Sequence, residues 1–357
     1  MNPRAHPVAE RKPLSDGVTE SVTLSVIIPT YNARELLANC LRSIYQNSPG
    51  EPYEVIVVDD ASADGTSEMV RAHFPEVRLL RNDVNRHYAW SNNRALAQAR
   101  GQYVYLLNND TIVLAQAIDG MLAFLREHPD AGAVGSKLLN GDGTVQWSVK
   151  SLPNPGSALF GARSILTLMF PNNRQSRKHL LHLGRKLDQP FIAGYVSSAS
   201  IMIPRKVVEE VGELDWRLSY HVDADYCKRI ADAGYSCYYL PSATVIHFDH
   251  KGGTMVSLRR RFRSLIEFHL GSYIFYRTHI RQSPWTPMQI IVVVGIFSRF
   301  LLSLMAQGFA ELSYIAIALA GKNVGLRRQE PTGATGDLPI WRAAPLAAPA
   351  RKPTADC

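Results

Sequence analysis

From residue 23 onward, short apolar runs alternate with amphipathic stretches. Leu24–Pro29 reads as a buried strand, and Leu36, Leu37, Cys40, Leu41 and Ile44 then line one face of a helix. Asn32 and Glu35 have capping-box spacing at its start. Val55–Val58 is a second strand ending at Asp59-Asp60, followed by a helix over Ser62–Phe74. Val77–Leu80 is a third strand, Ser91–Arg100 a helix and Tyr103–Leu107 a fourth strand. Four such strand–helix units predict an α/β domain with a mainly parallel sheet and helices on both faces.

Beyond it, Ala115–Glu127 predicts an amphipathic helix. Ala133–Leu139 and Thr144–Ser148 predict a hairpin around Asn140-Gly141-Asp142-Gly143. Residues 151–190 have no clear period, as befits an active-site loop. Phe191–Ile203 is strand-like, Lys206–Val211 and Asp223–Ala233 are helical, and Cys237–Tyr239 with Val245–His247 predicts a strand pair. The expected organisation is a tail (1–21), a catalytic domain (22–255), a basic and apolar helical region (256–328) and a second tail (329–357).

The pattern changes near the C-terminus. Six arginines at 259, 260, 261, 263, 277 and 281 face one acid, Glu267, and adjoin an apolar stretch at 288–320. Arg299 is the single charge from Gln289 to Met305. A mid-span arginine costs roughly 2.5–3.5 kcal/mol on a translocon scale, which does not forbid insertion. Three arrangements fit: helices lying in the membrane interface, which the basic and aromatic flanks favour, a membrane span, or a helical hairpin packed on the catalytic domain. The net charge of +8 comes partly from these arginines. They lack an interleaved aromatic platform, so an anionic surface or substrate is expected rather than nucleic acid. The first twenty residues contain no apolar core of a secretory signal. The four cysteines, Cys40, Cys227, Cys237 and Cys357, have neither metal-site nor disulfide-framework spacing.

Three acidic sites carry the candidate chemistry. Asp59-Asp60 ends a strand, where a carboxylate can accept from a base imide or ribose hydroxyl; Asp64, further on, suits a helix cap. Asn108-Asn109-Asp110 interrupts an apolar run, and its Asn-x-Asp oxygens suit Mg²⁺ or Mn²⁺, or else a simple turn. Asp223-Ala224-Asp225 opens a helix, where the helix end should keep a carboxylate ionised.

Taken in order, these phrases resemble the family 2 glycosyltransferases over roughly Leu24–Thr254. The matching residues are Ser25-Val26-Ile27-Ile28-Pro29-Thr30-Tyr31-Asn32, Val57-Val58-Asp59-Asp60-Ala61-Ser62-x-Asp64-Gly65-Thr66 and Leu107-Asn108-Asn109-Asp110-Thr111. Gly212-Glu213-Leu214-Asp215, Asp223-x-Asp225-x-x-x-Arg229, Gly234-Tyr235, Leu240-Pro241 and Val245-Ile246-His247 complete the set. The Asn-Asn-Asp form and the basic, apolar C-terminal region look most like the rhamnosyltransferase branch, which builds bacterial surface polysaccharides.

The resemblance implies a GT-A nucleotide-diphospho-sugar fold and an inverting transfer onto a lipid-linked saccharide, with dTDP-rhamnose as a candidate donor. It implies a polyprenyl-diphosphate-linked acceptor and an enzyme at the cytoplasmic face of the inner membrane, peripheral or shallowly inserted. Pro29, Thr30, Tyr31, Asn32, Asp59, Asp60, Asn93, Asn108, Asn109 and Asp110 would bind the donor. Asp110, with His247, would hold the divalent ion. Asp223 would be the base, with Asp225 as its rival. Two departures stand out: Val222 where the family has Glu, and Asn85-Arg86-His87-Tyr88 where it often has Asn-x-Gly-Phe. Val222 leaves open an alternative, a catalytically silent subunit that binds a sugar nucleotide or lipid carrier.

Overall fold

The computed structural model describes residues 21–154, 169–170, 173–181, 187–249, 258–280 and 287–323. The two predicted tails therefore lie outside the described residues, apart from Ser21, as does most of the first half of the 151–190 loop.

The N-terminal half follows the hydrophobic pattern closely. It runs β1 (Leu24–Thr30), α1 (Arg34–Gln46), β2 (Tyr53–Asp59), α2 (Thr66–His73), β3 (Arg78–Arg81), α3 (His87–Leu96) and β4 (Tyr103–Leu107). Next come β5 (Thr111–Val113), α4 (Ala117–Glu127), β6 (Ala131–Leu139), β7 (Val149–Lys150) and α5 (Arg174–His179). β8 (Phe191–Ala193), β9 (Tyr195–Val196), β10 (Ser200–Pro204), α6 (Arg205–Val211), α7 (Val222–Asp232) and β11 (Ser236–His247) follow. α8 (Leu258–His279) and α9 (Pro287–Asn323) end the described chain.

The main sheet has the order β3-β2-β1-β4-β10-β6-β11-β5, with β8 added beside β11. Six of its nine strands run in one direction, so it is mainly parallel with β5, β8 and β10 running against the rest. β1, β2, β3 and β4 are parallel neighbours, and β6 and β11 are parallel too. β10, however, runs antiparallel between β4 and β6, and β5 and β8 run antiparallel to β11. β10 is entirely buried, and such a run has no period that reports direction. One face of the sheet is covered by α1, α2 and α4 through Leu37, Leu41, Val70 and Met121. The other is covered by α3, α6 and α7 through Ala95, Val207, Tyr226 and Ile230, and Phe275 of α8 joins it. The predicted hairpin is reduced to an isolated bridge between Leu139 and Val145. The predicted final strand pair is one strand, β11, with a register shift between Leu240 and Thr244.

α1 starts without the predicted capping box. Asn32 takes a left-handed φ of 48°, and its Oδ1 accepts from the Ala63 N–H at 2.8 Å instead. Gly65 is the N-cap of α2; Asp64, one residue before it, accepts from the Thr66 N–H at 3.1 Å and from the Arg34 N–H at 3.0 Å.

The expectation for the C-terminal region needs correction. Both helices form, but no helix among the described residues is long and apolar enough to cross a membrane. α8 mixes Arg261, Arg263, Glu267 and Arg277 with its apolar positions. In α9, Arg299 stands 5.2 Å over the Phe268 ring of α8, so the charge is packed between helices. The span is thereby excluded from the arrangements read from sequence.

Candidate active site

The parallel strands all deliver their carboxyl ends to one edge of the sheet, where open α/β sheets bind ligands. Thr30 and Asp59 are register partners there. Asn109 Nδ2 donates to Thr30 Oγ1 at 2.8 Å, and the Asn108 N–H donates to Ala199 O at 3.0 Å. β11 reaches the same edge, pairing His247 with Thr111. Pro29 is half-buried, Thr30 is buried, and Tyr31 and Asn32 are exposed on the rim.

Asp59 and Asp60 are inside this rim and already engaged. Asp59 is fully buried and accepts from the Ser62 N–H at 2.9 Å, from Arg81 at 3.2 Å and from the Ser67 hydroxyl. Asp60 accepts from Asn82 Nδ2 at 2.7 Å and from the Arg86 and His87 N–H groups, both at 2.8 Å. The pair therefore fixes the Asp59–Ser62 turn and the Asn82–His87 loop, two segments that frame the rim. Asn93 is not with them: its amide exchanges two hydrogen bonds with Leu214, at 2.8 and 2.9 Å, bracing α3 against the chain that leads to α7.

Asp110 and His247, both buried, form the chemically distinctive pair. His247 Nε2 lies 3.3 Å from Asp110 Oδ1 and 3.3 Å from Asn108 Nδ2. Among the described residues no three His, Cys, Asp or Glu side chains cluster as a metal cage. Two protein ligands nonetheless fit Mg²⁺ or Mn²⁺, which typically take one or two carboxylates and fill their shell with water and substrate phosphate. Behind the turn, Cys40 of α1 lies 3.5 Å from Thr111 Oγ1, and burial pushes its thiol pKa up to about 12. It is an inert support. Cys227 and Cys237 are also buried, and none of the three is in a disulfide.

The two carboxylates of α7 have separate surroundings. Asp225 is buried and engaged: Arg229 donates from Nε at 3.0 Å, a terminal nitrogen of the same guanidinium is paired with it at 2.9 Å, and His279 Nε2 lies at 2.7 Å. Asp223 accepts from the Ala224 N–H at 2.9 Å. Burial raises its pKa above the ordinary aspartate value, with Lys150 and the local N–H groups pulling it back only in part. The helix end was expected to keep it low; desolvation outweighs that. Val222 packs into the core beneath it. Tyr88 flanks Asp223, its phenol held at about 12 by burial with the Asp223 charge adding to it, and it donates to Ser198 O at 2.9 Å. Tyr195 also feels the Asp223 charge. The residue that opens α7, His221, has a φ of 66°, and its ring meets Ser272 Oγ of α8 at 2.9 Å. Asn32, Ala61, His87 and His221 all have positive φ values, and strain of this kind gathers at functional sites.

Gln146, Tyr195 and His279 escaped the sequence reading. Their partners are distant in sequence, and none lies in a recognisable phrase. His87 and Tyr88 are the exceptions, since their motif was noted as a departure; the His87 ring reaches Arg263 of α8 at 3.2 Å.

The site is thus an acidic turn at the carboxyl edge of an α/β sheet, with a further carboxylate, Asp223, at the start of α7. A family model described as Glycosyl transferase family 2 matches residues 25–212, and the chain belongs to that family. It is 28% identical over 274 residues to an N-acetylglucosaminyl-diphospho-decaprenol L-rhamnosyltransferase of Mycobacterium tuberculosis, covering 73% of this chain and 86% of that protein. It is 25% identical over 244 residues to the glycosyltransferase AglE of Haloferax volcanii, covering 67% and 71% of the two chains. Among solved structures, the mannosyltransferase PcManGT from Pyrobaculum calidifontis, in complex with GDP-Man and Mn²⁺, aligns at a TM-score of 0.49 and 21% identity. That alignment covers 87% of this chain and 84% of the other.

Proposed function

We propose that this protein is an inverting glycosyltransferase that moves a sugar, with dTDP-rhamnose as first candidate donor, onto a saccharide linked to a polyprenyl diphosphate. The observation that carries this reading is the contrast on α7. Asp225 is consumed by Arg229 and His279, whereas Asp223 keeps acceptor capacity and a raised pKa suited to a base. The M. tuberculosis relative, alike over most of its length, supports the donor and acceptor classes.

In the proposed step the acceptor hydroxyl oxygen attacks the anomeric carbon from the face opposite the diphosphate. The carbon–oxygen bond to the diphosphate breaks with inversion, and the hydroxyl proton passes to Asp223. Asp110 and His247 would hold a divalent ion, which supplies neutralisation of the charge left on the nucleoside diphosphate. Thr30, Asn109 and the rim residues Tyr31 and Asn32 would line the donor. Asp59 and Asp60 would act by holding their loops in place.

The helices of the 256–328 region would rest peripherally on an anionic bilayer. Phe262, Ile266 and Leu270 of α8 and Ile290, Val294 and Phe297 of α9 are 42–68% exposed, and arginines border them. Interfacial helices of this kind combine buried apolar area with electrostatic attraction. A screen of nucleotide sugars for thermal stabilisation, followed by transfer to a polyprenyl-diphosphate saccharide, tests the reading. The silent-subunit alternative expects stabilisation by a nucleotide sugar and no transfer. Failure of every nucleotide sugar to stabilise the protein would sink both.

A further inference from the structure

Gln146 sits just past the Leu139–Val145 bridge, 101 residues from His247 in sequence, and grips that residue twice. Its Nε2 donates to the His247 carbonyl oxygen at 2.6 Å, while its Oε1 faces His247 Nδ1 at 3.0 Å. The first bond fixes the amide orientation, because a carbonyl oxygen can accept only from the NH₂ end. Oε1 is then committed to Nδ1, and two acceptors do not meet at 3.0 Å without a proton between them. Nδ1 therefore carries a hydrogen, and Nε2 is the ring nitrogen turned toward Asp110. Asn108 Nδ2 agrees, donating toward that nitrogen at 3.3 Å. Nε2 and Asp110 Oδ1 lie 3.3 Å apart, close enough for one divalent cation to take both as ligands.

We infer that Gln146 is a positioning residue that locks His247 in the Nε2-lone-pair tautomer and so sets the affinity of the Asp110–His247 pair for a divalent cation. This rests on reading that pair as the divalent site. Partners of this kind orient the ring and fix its tautomer, and their loss weakens metal binding by about ten- to a hundredfold. Gln146 also shares the backbone carbonyl of His247, so one side chain sets both ring rotation and strand end. It does so from the 140s turn, a segment the donor-binding phrases do not include.

The test uses the full-length protein at one fixed pH, with Mn²⁺ and dTDP as probes. Free Mn²⁺ is read by electron paramagnetic resonance, and the His247 ring nitrogens by ¹⁵N NMR without Mn²⁺. Gln146→Leu should weaken Mn²⁺ uptake about ten- to a hundredfold and lose the single-tautomer signature, in a protein that still unfolds cooperatively. Gln146→Glu keeps an acceptor for Nδ1–H but loses the donor to the His247 carbonyl oxygen, and should restore the tautomer signature and Mn²⁺ uptake above that of Gln146→Leu. Wild-type Mn²⁺ affinity in Gln146→Leu, or persistence of the same tautomer there, would overturn the inference. If His247→Ala binds Mn²⁺ as tightly as wild type, or wild type binds none, the divalent-site reading itself fails, and this inference with it. His247→Ala weakened beside an unaffected Gln146→Leu would overturn the inference alone.

Discussion

The imidazole of His279 and the carboxylate of Asp225 lie 2.7 Å apart, both nearly fully buried. One ends α8 and the other stands in the first turn of α7, so this contact ties the C-terminal region to the helix that carries Asp223. Arg229 completes the cluster from the next turn of α7. Asp225 thus serves as a clamp, whereas Asp223, two residues earlier in the same motif, accepts from the Ala224 N–H.

Removing the clamp should be costly. Asp225→Ala leaves Arg229 and His279 without their buried acceptor and is expected to lower stability by about 3–5 kcal/mol. Denaturant unfolding measures it. A loss under about 1 kcal/mol would show that the pair contributes little.

Asp223→Ala should behave differently. Turnover is expected to fall by roughly 10²–10⁴-fold while nucleotide-sugar binding stays close to wild type. Because burial raises the Asp223 pKa, the acid limb of kcat/KM should lie above the ordinary aspartate range. Near-normal transfer by the variant, or a limb at or below that range, contradicts the base assignment.

His221 gives a stability effect of predictable sign. Burial lowers its pKa to about 4, with Lys150 and Arg299 reinforcing the shift. Between the ordinary histidine value near 6.5 and that figure, the unfolded chain binds a proton that the folded protein refuses. Stability is therefore complete above the unfolded value and falls as pH drops through this window, by roughly 3 kcal/mol in the limit. His179, also lowered to about 4, adds a similar contribution. His221→Asn keeps a residue tolerant of the left-handed φ. Its melting temperature should fall less steeply with acid than that of wild type; parallel curves would refute the assignment.

At Gly271, α8 packs tightly against the turn before α7. A Cβ there would stand 2.8 Å from Tyr220 O and 3.2 Å from the His221 ring. Backbone cannot yield cheaply at that distance, so Gly271→Ala should push the turn and misplace Asp223. The expected result is a drop in kcat of up to roughly a hundredfold with donor affinity kept. Steady-state kinetics check this, and an unchanged kcat would mean that α8 does not constrain the base.

The parallel strands and their carboxyl-end acids were legible because burial leaves continuous apolar runs and function breaks them, as Leu107 gives way to Asn108-Asn109-Asp110. The antiparallel course of β10 was not legible, since its five residues are all buried and carry no directional signal. Asn32 looked like a helix cap because spacing alone cannot see the Ala63 N–H that captures its side chain.

The sequence by itself determined which residues could be chemical: the acids of 59–60, 108–110 and 223–225, in an order that few folds share. Tertiary structure decided which of them are engaged by other groups. Asp60 is held by two backbone N–H groups, Asp225 by Arg229 and His279, and Asp223 keeps its capacity. A carboxylate's role depends on which donors reach it and how much water it has lost. Both are set by segments distant in the chain, so neither is written in the local motif.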